Sequence, residues 1–446
     1  MTESKKKELY QKQKKDIEHL FGHGLDEVSP ENIVRSAVSL EDDRLTICGR
    51  SYALTGDRRI WVFGSGKAAG RMTLELEAIL GKHVYDGIVI CPYGLKSSTK
   101  RIQQFEAAHP VPDLNSLTAT YEMVDVAADV QESDLVIYLL SGGSSSLLCL
   151  PCEELEFDEV RVLYRQLLQC GAPIGEVNKI RKSISQVKGG RLRPHFGKAT
   201  VELLAVSDVP GNEPADIGSG PLVDDPVSPG EALELMRKYG IDKKIPPAIV
   251  RFLEGGGARE ADPYGASGYT THTTVVASVE KVAETIRVEA ESMGYKTWVD
   301  QEFVTGEARQ VAKKIAEKAV EVLARDKPVA KPAALIFYGE STVTVTGSGK
   351  GGRNQELALG AAMALEGQHC TTLLSGATDG KDGETNAAGA IVNGQSALNA
   401  RDNGVNPESY LENNDSHTFF RKTDGLLVTG VTGNNLMDIQ IVLIEK

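Results

Sequence analysis

The sequence predicts an α/β protein made of two α/β domains. Short runs that are apolar throughout alternate with helical stretches, which is the pattern of a parallel sheet covered on both faces. The chain has 446 residues, enough for two or three domains of roughly 150 residues each. We expect an N-terminal doubly wound, Rossmann-like parallel sheet over residues 1–255 and a C-terminal domain with a mixed sheet over residues 270–446.

The first domain alternates strands and helices in chain order. The basic start of the chain lacks an apolar segment and predicts a solvated first helix rather than a signal peptide. The predicted strands are IWVF (60–63), GIVIC (87–91), the apolar part of DLVIYLLSGG (134–143) and ATVELLAVSDV (199–209). The predicted helices run to about residue 80 and over about 116–128, 157–169 and 175–188.

A glycine-rich polar stretch, 254–272, is predicted to be a domain boundary or a surface loop. Predicted strands beyond it are TTVVA (273–277), YKTWV (295–299), ALIFYG (334–339), TVTVTG (342–347), TTLLSG (371–376) and the terminal runs GLLVTG and IQIVLI. Helices are expected from Ser278 to Gly294, over about 307–325 and from about Asn354. TVTVTG alternates strictly, which is typical of a strand with one wet face and favours a mixed sheet.

Charge and composition exclude several classes of protein. The net charge is −13, and no block of five basic residues occurs, so neither nucleic acid nor a membrane surface is an expected partner. The longest apolar runs, such as 135–140, are far shorter than the roughly 20 residues of a membrane span. Six cysteines are too few for a disulfide framework, and the lone pair Cys149 and Cys152 is a weak redox or zinc motif. We expect a cytoplasmic protein.

Five polar, glycine-rich loops follow predicted strands, at the end where open α/β sheets bind ligands. They are residues 64–70, 141–146, 207–213, 348–356 and 377–383. A structural turn needs only one or two glycines, so this repetition predicts a polar ligand that contacts both domains. The candidate binding residues are Ser65, Gly66, Ser141, Gly142, Gly143, Ser144, Asn178, Arg181, Lys188, Arg191, Asn354 and Asp379.

The stretch WVFGSGKAAGRM (61–72) resembles a dinucleotide-binding turn. Gly64, Gly66 and Ala69 satisfy the G-x-G-x-x-G/A pattern, which is a weak signal by itself. A nicotinamide or flavin enzyme also needs a carboxylate after the next strand to hold the ribose. That strand ends at Cys91 with no carboxylate following it, which disfavours a dinucleotide.

The same stretch is not an ATP phosphate loop of the Walker A type. Trp61 stands where the first glycine belongs, and Ala68 replaces the Ser or Thr that binds Mg²⁺. Lys67 suits an anionic ligand beside the first amides of a helix. The alternative is an exposed lysine in the first helical turn, which the helix dipole disfavours.

Two further segments suggest anion binding. Residues 141–146, SGGSSS, present successive amides and hydroxyls that could form an anion nest. Asn178, Arg181, Ser185 and Lys188 share one helical face as a polar, cationic stripe, although a solvated face is the usual explanation of such charge.

Three aspartates are candidates for metal binding. Asp208 directly follows a buried strand and could bind Mg²⁺ or accept a proton, with an Asx turn as the alternative. Asp379 and Asp382 could hold a metal, but glycine-rich D-x-x-D segments are also common in turns. His109 and His417 have no evident partner in the sequence.

Eight motifs, taken in order, resemble those of one family. They are GSGKAAG, HPVPD, LSGGSSSLL, NKIRKSISQVKGGRL, SDVPGNEPADIGSGP, GKGGRNQELAL, ATDGKDGETNAAGA and VTGVTGNNLMDIQIVLI. Together they resemble the glycerate 2-kinase family of the MOFRL type, named for its C-terminal domain. The similarity covers nearly the whole chain from about residue 30.

The resemblance implies ATP- and Mg²⁺-dependent phosphorylation of D-glycerate at its 2-hydroxyl, giving 2-phosphoglycerate and ADP. It also implies an active site in the cleft between the two domains. The family's motif lysine falls on Lys67 and its motif arginine on Arg353, so these residues and Asp208 are the predicted catalytic set. Asp208 and Asp382 are the predicted Mg²⁺ ligands. Glycerate and ATP are the predicted partners, and the sequence leaves open whether the protein forms a homodimer.

Some positions depart from the family pattern. Ser183 replaces a usual histidine, Asn212 and Glu213 replace a frequent acidic pair, and Asn434 and Met437 stand where Thr and Asn are common. These changes touch polar contacts and leave the predicted catalytic residues in place.

Two other functional classes stay open from the sequence. An NAD(P)-dependent hydroxypyruvate reductase is suggested by the glycine pattern of residues 64–69. A non-catalytic ligand-binding protein would also explain the polar loops.

Overall fold

The computed structural model describes residues 2–54, 56–257 and 268–445, which form two compact units. The first unit is Pro30–Val276, and the second is Met1–Ser29 together with Ala277–Lys446. This division differs from the expected one, because the first 29 residues group with the C-terminal part of the chain. Much of the predicted boundary loop, residues 258–267, lies outside the described residues.

The first unit contains helices, strands and short 3₁₀ turns. Its strands are β1 (Val38–Glu41), β2 (Arg44–Ile47), β3 (Arg50–Ala53), β4 (Ile60–Ser65), β5 (Val84–Asp86), β6 (Ile88–Pro92), β7 (Gln103–Ala107), β8 (Leu135–Leu140), β9 (Thr200–Val206) and β10 (Thr271–Ala277). Its helices are α2 (Pro30–Ala37), α3 (Ala69–Leu80), α4 (Leu114–Ala127), α5 (Ser144–Leu147), α6 (Phe157–Gln169), α7 (Ile174–Lys182), α8 (Pro229–Lys238) and α9 (Pro247–Glu254).

A seven-stranded sheet forms the centre of the first unit, in the order β10-β9-β8-β4-β6-β7, with β5 paired to β4. The pairs among β4 to β9 are parallel, which confirms the predicted doubly wound sheet. Every residue of β4 and β8 is buried, which explains why these strands are apolar apart from Ser65 at the end of β4. The run 273–277, expected in the second domain, instead lies in β10 at the edge of this sheet.

The second unit begins with the N-terminal helix α1 (Glu3–Glu27). Its other helices are α10 (Val279–Ser292), α11 (Ala308–Arg325), α12 (Arg353–Ala364), α13 (Ser396–Asp402), α14 (Pro407–Glu412) and α15 (Ser416–Thr423). Its strands are β11 (Lys296–Val299), β12 (Ala333–Gly339), β13 (Thr371–Ala377), β14 (Gly389–Asn393), β15 (Leu426–Leu427) and β16 (Asp438–Ile444).

The sheet of the second unit is mixed, as predicted. Its order is β11-β12-β16-β13-β14-β15. The β11–β12 pair is parallel, and the other neighbours are antiparallel. The C-terminal strand β16 therefore lies in the middle of the sheet and carries Asp438 at its first position.

Two local predictions were wrong. The segment 342–347 forms only an isolated bridge at Thr342, because side chains of neighbouring segments, such as Asn414 Oδ1, accept its amide hydrogen bonds. The first helix is not simply solvated, since Leu20 and Phe21 are buried and the side-chain amide of Gln13 donates to carbonyl oxygens of the second unit.

None of the helices in the described part of the chain combines the length and the apolar character needed to cross a membrane.

Candidate active site

Polar residues converge at the carboxyl edge of the first unit's sheet. Lys67 follows β4, Gly142 and Gly143 follow β8, and Asp208 follows β9. His109 follows β7 at the same edge. Because these strands are parallel, the residues that follow them lie on one side of the sheet.

The turn at Gly142 and Gly143 is the centre of this cluster. A Cβ atom placed on Gly142 would lie 2.3 Å from Oδ2 of Asp208. One placed on Gly143 would lie 3.0 Å from the His109 ring and 3.4 Å from Cγ of Lys67. Gly143 also has φ +86°, a left-handed conformation that favours glycine. The absence of side chains at this turn lets three functional side chains approach the same stretch of backbone.

Lys67 is half-buried, and its ammonium group makes no hydrogen bond or ion pair to any described residue. The amides of residues 66–68 donate to Ile90 O, Gly142 O and Ser141 Oγ at 2.9–3.0 Å. We expected these amides to bind an anion, but the protein itself already uses them. Any anion at this loop is therefore bound by the lysine side chain.

Ser65 and Ser144, both predicted to bind ligand, are fully buried instead. Their hydroxyl groups are 2.5 Å apart, and Ser65 Oγ also lies 3.0 Å from the hydroxyl of Tyr138. This network joins β4 to the turn after β8, so both serines support the site from within the core.

His109 is neutral at physiological pH. Although His109 is exposed, desolvation by the surrounding protein and the positive charges of Lys67 and Arg181 lower its pKa to about 4. A neutral imidazole can accept a hydrogen bond from a substrate hydroxyl without adding positive charge. The sequence offered only one signal for this residue, namely its position just after a strand in HPVPD.

The predicted cationic stripe does not form on one helix. Helix α7 ends at Lys182, so Ser185 and Lys188 lie in the turns that follow it. All of the stripe residues are buried, including Arg181 at 6% exposure and Lys188 at 0%. The expected alternative, a solvated face, is therefore also wrong.

Asn178 and Arg191 have structural partners. The Asn178 side chain donates to Asp216 O at 3.1 Å and accepts from Ser219 Oγ at 2.9 Å. Arg191 Nη1 donates to Lys182 O at 2.7 Å, which closes the turns after α7. These contacts hold the segment in place.

Arg353 is the first residue of α12 in the second unit. Its Nε and Nη2 atoms donate to the carboxylate of Asp438 at 2.5 and 2.9 Å, and its Nη1 lies 2.7 Å from Oε1 of Glu340. Burial alone would lower the pKa of Arg353, but Asp438 raises it, so the guanidinium stays charged. Asp438 is fully buried and fixes the orientation of the arginine, whereas Glu340 is exposed. The sequence did not reveal either acidic partner.

Asp382 caps helix α12. Its two carboxylate oxygens accept hydrogen bonds from the amides of Asn354 and Gln355 at 3.0 and 2.8 Å. Burial raises its pKa, and these amide bonds oppose the shift. A carboxylate used in this way fits a helix cap rather than the predicted metal ligand.

The other predicted residues of this region also have partners. Asn354 Oδ1 accepts from Ser375 Oγ at 2.6 Å in the core. Asp379 Oδ1 accepts from the Lys381 amide at 2.9 Å, which is a local turn. His417, without an evident partner in the sequence, has its Nδ1 2.9 Å from Oε1 of Gln355.

No group of three or more His, Cys, Asp or Glu side chains in the described ranges is arranged to hold a metal. Asp208 is half-buried at the carboxyl edge, where its carboxylate could bind a metal that also contacts a ligand. Of the two predicted metal ligands, Asp382 already accepts two backbone hydrogen bonds, and Asp208 stays a prediction.

A lysine and a carboxylate at the carboxyl edge of a parallel sheet are typical of an α/β enzyme that binds a small polar ligand. Two family models match the chain: a domain of unknown function (DUF4147) over residues 16–254 and the MOFRL family over residues 333–438. The chain belongs to the MOFRL-type glycerate 2-kinase family.

Individual relatives cover most of the chain. It is 40% identical to a D-glycerate 2-kinase of Thermotoga maritima over 86% of this chain and 91% of that protein. The crystal structure of a glycerate kinase from Thermotoga maritima matches with a TM-score of 0.85 and 36% identity, covering 97% of this chain and all of that one. A protein of Agrobacterium vitis, provisionally named a hydroxypyruvate reductase, is 36% identical over 86% of this chain and 99% of its own length.

Proposed function

We propose that this chain transfers the terminal phosphoryl group of ATP to the 2-hydroxyl of D-glycerate, giving 2-phosphoglycerate and ADP. The observation that carries the proposal is the convergence of Lys67, His109 and Asp208 on the Gly142–Gly143 turn. This is the charge pattern that phosphoryl transfer to a small hydroxy acid requires. We place the reaction in the cytoplasm.

Lys67 and Arg353 supply positive charge. In phosphoryl transfer the protein mainly positions the groups and neutralises charge on the phosphoryl oxygens. The Lys67 ammonium has no protein partner among the described residues, so it is available to a phosphate. Arg353 is already oriented by Asp438, and an anion can take the place of the exposed Glu340 beside it.

Asp208 acts at the acceptor hydroxyl. Its carboxylate lies against Gly142 and can accept a hydrogen bond from the 2-hydroxyl or hold Mg²⁺. Mg²⁺, when bound with ATP, neutralises negative charge on the phosphates. His109 is neutral and can orient the same hydroxyl.

A hydroxypyruvate reductase is the second candidate, favoured by the name of the Agrobacterium vitis relative. A dinucleotide would need free amides in the 66–68 loop to bind its pyrophosphate, and these donate within the protein. The kinase therefore fits the loop better than the reductase.

The test is a coupled assay of ADP formation with D-glycerate, run beside an assay of NADH oxidation with hydroxypyruvate. NMR of the product separates 2-phosphoglycerate from 3-phosphoglycerate. We expect Lys67→Ala and Arg353→Ala each to lower kcat/KM at least ~100-fold, the scale for removal of one preorganised donor. Near-wild-type turnover in either variant would refute that residue's role, and NADH oxidation without ADP formation would refute the kinase.

A further inference from the structure

Three buried cations among the described residues of the first unit make no ion pair: Arg181, Lys188 and Arg193. Arg193 is satisfied by hydrogen bonds to Thr271 Oγ1 and to the carbonyl oxygens of Gly197 and Ala199, so Arg181 and Lys188 are the two to explain. Arg181 lies on α7 with 6% exposure, and Lys188 lies in the following turns with 0% exposure. Charged side chains are rarely buried without a partner, because desolvation of the charge is costly. Their neighbour Lys182 follows this rule, since it is buried and pairs with the carboxylates of Asp225 and Asp216.

The partners of Arg181 are all neutral. Its Nε atom is buried without any hydrogen-bond partner. Its Nη1 atom lies 3.5 Å from Asn178 Oδ1, at the limit of a hydrogen bond, and the guanidinium lies over the ring of Tyr164 at 5.0 Å. A guanidinium has five N–H donors in a rigid fork, so most of its capacity is unused here.

Lys188 also has a neutral partner. Its ammonium group donates to the carbonyl oxygen of Leu148. Within the ranges that the structure describes, no carboxylate forms an ion pair with Lys188 or with Arg181. Arg181 and Lys188 are therefore buried positive charges that a bound anion would compensate.

These cations lie close to the site already described. The ring of Tyr164 lies under the guanidinium of Arg181, and the Tyr164 hydroxyl donates to the carbonyl oxygen of Ser145, just after the Gly142–Gly143 turn, at 3.1 Å. Arg181 also lies near Lys188, and its positive charge contributes to the lowered pKa of Lys188. Arg181 is thus on the buried side of the cluster, whereas Lys67 is more exposed.

We propose that Arg181 binds the carboxylate of the acceptor acid, with Lys188 adding positive charge behind it. This deepens the proposed function and rests on it. The phosphates of ATP carry a large nucleoside and fit the more exposed Lys67, whereas a three-carbon acid is small enough to reach a residue with 6% exposure. The planar fork of an arginine matches a carboxylate with two parallel hydrogen bonds.

The experiment compares Arg181→Gln and Arg181→Lys with the wild-type enzyme. Lys179→Gln is the matched control, because Lys179 lies on the same helix but is exposed and paired with Glu231. We measure KM for D-glycerate and for ATP separately, and kcat/KM with glycerol as an acceptor that lacks the carboxylate.

For Arg181→Gln we expect KM for D-glycerate to rise by roughly 100-fold, the scale for loss of a buried charged hydrogen-bond pair. KM for ATP and kcat/KM for glycerol should stay near wild type. Arg181→Lys keeps the charge without the fork and should give an intermediate KM. A rise in KM for ATP with KM for D-glycerate unchanged would overturn the proposal and assign Arg181 to the phosphates.

Measuring D-glycerate binding in the absence of ATP tests the carboxylate subsite independently of the proposed kinase activity. Calorimetry should show D-glycerate binding to the wild-type protein and not to Arg181→Gln, even if no ADP is formed. In that case the carboxylate subsite stands and the proposed kinase fails. Without ligand, Arg181→Gln should melt at or above the wild-type temperature, because an uncompensated charge has been removed. A lower melting temperature with unchanged glycerate binding would show a purely structural role and overturn the proposal.

Discussion

Because Gly142 lies against Asp208, a substitution at Gly142 can displace the Asp208 carboxylate while residue 208 itself stays unchanged. Gly142→Ala would place a Cβ atom 2.3 Å from Oδ2 and 2.9 Å from Cγ of Asp208. Unlike Gly143, Gly142 does not have a left-handed φ, so alanine can adopt its backbone conformation. The Asp208 side chain must therefore move while the turn stays folded.

The size of the effect follows from these distances. Ordinary van der Waals contact begins near 3.4 Å, so the carboxylate must move by about 1 Å, a misplacement that can cost roughly 100-fold in rate. A 100-fold loss corresponds to about 2.7 kcal/mol of transition-state free energy. Stability should change little, because a compatible Gly→Ala substitution gains about 0.4–1 kcal/mol, which offsets the displacement.

The assay is ADP formation with D-glycerate, with the melting temperature measured in parallel. Gly230→Ala is the control, because nothing lies within 4 Å of a Cβ atom at that position of α8. We expect kcat to fall about 100-fold in Gly142→Ala and to stay at the wild-type value in Gly230→Ala. Wild-type kcat in Gly142→Ala, with Asp208→Asn strongly impaired, would show that the position of the carboxylate is not critical. Wild-type kcat in both Gly142→Ala and Asp208→Asn would show that Asp208 takes no part in the mechanism.

Two further predictions concern buried charges. Burial lowers the pKa of Lys188 from 10.5 to about 8. Between these two pH values the unfolded chain binds more protons than the folded chain does. The free energy of unfolding therefore rises with pH over this range, by at most about 3 kcal/mol. Urea denaturation should show this rise in the wild type and not in Lys188→Met, and KM for D-glycerate should increase above pH 8; a flat wild-type profile would contradict the buried charge. Asp382→Ala removes the cap of α12 and should lower the free energy of unfolding by about 2 kcal/mol while leaving the Mg²⁺ concentration for half-maximal activity unchanged. A large shift in that concentration would restore Asp382 as a metal ligand.

The architecture could be predicted from local patterns where burial is nearly complete. Strands β4 and β8 are almost entirely apolar because both faces of the sheet are covered, and this signal is present in the sequence. The segment 342–347 shows the limit of such patterns. Its alternation is that of a strand, but side chains such as Glu307 and Asn414 accept its amide hydrogen bonds, and a sequence pattern does not show which acceptor is nearby.

The position of helix α1 could not be predicted for a similar reason. The basic residues near its start dominate its composition, whereas the residues that fix its place are few and lie further along. Phe21 packs against Gly376 of β13, and Gln13 binds two carbonyl oxygens of the same unit. These contacts join the two ends of the chain, and only the folded structure brings them together.

The candidate site was predictable in position but not in the role of each residue. The rule that ligands bind at the carboxyl edge of a parallel sheet found Lys67 and Asp208, because it depends only on where strands end. It could not separate Ser65 or Asp382 from true ligand-binding groups, since both follow the same rule and are then occupied by protein partners. His109 was missed as a member of the site because its neighbours come from other strands.

Four of the five candidate cations show the same limit in terms of charge. In the sequence, Arg191, Lys188, Arg181 and Arg353 are equivalent: each is a positive residue in a polar, glycine-containing motif. In the structure, Arg353 is oriented by a carboxylate and Arg191 donates to backbone oxygens, whereas Arg181 and Lys188 are buried beside neutral groups. Since an uncompensated buried charge lowers stability, its persistence requires a compensating gain, and a bound anion provides one. The pairing of each cation, rather than its presence in a motif, is therefore the observation that led us to propose Arg181 for the substrate carboxylate.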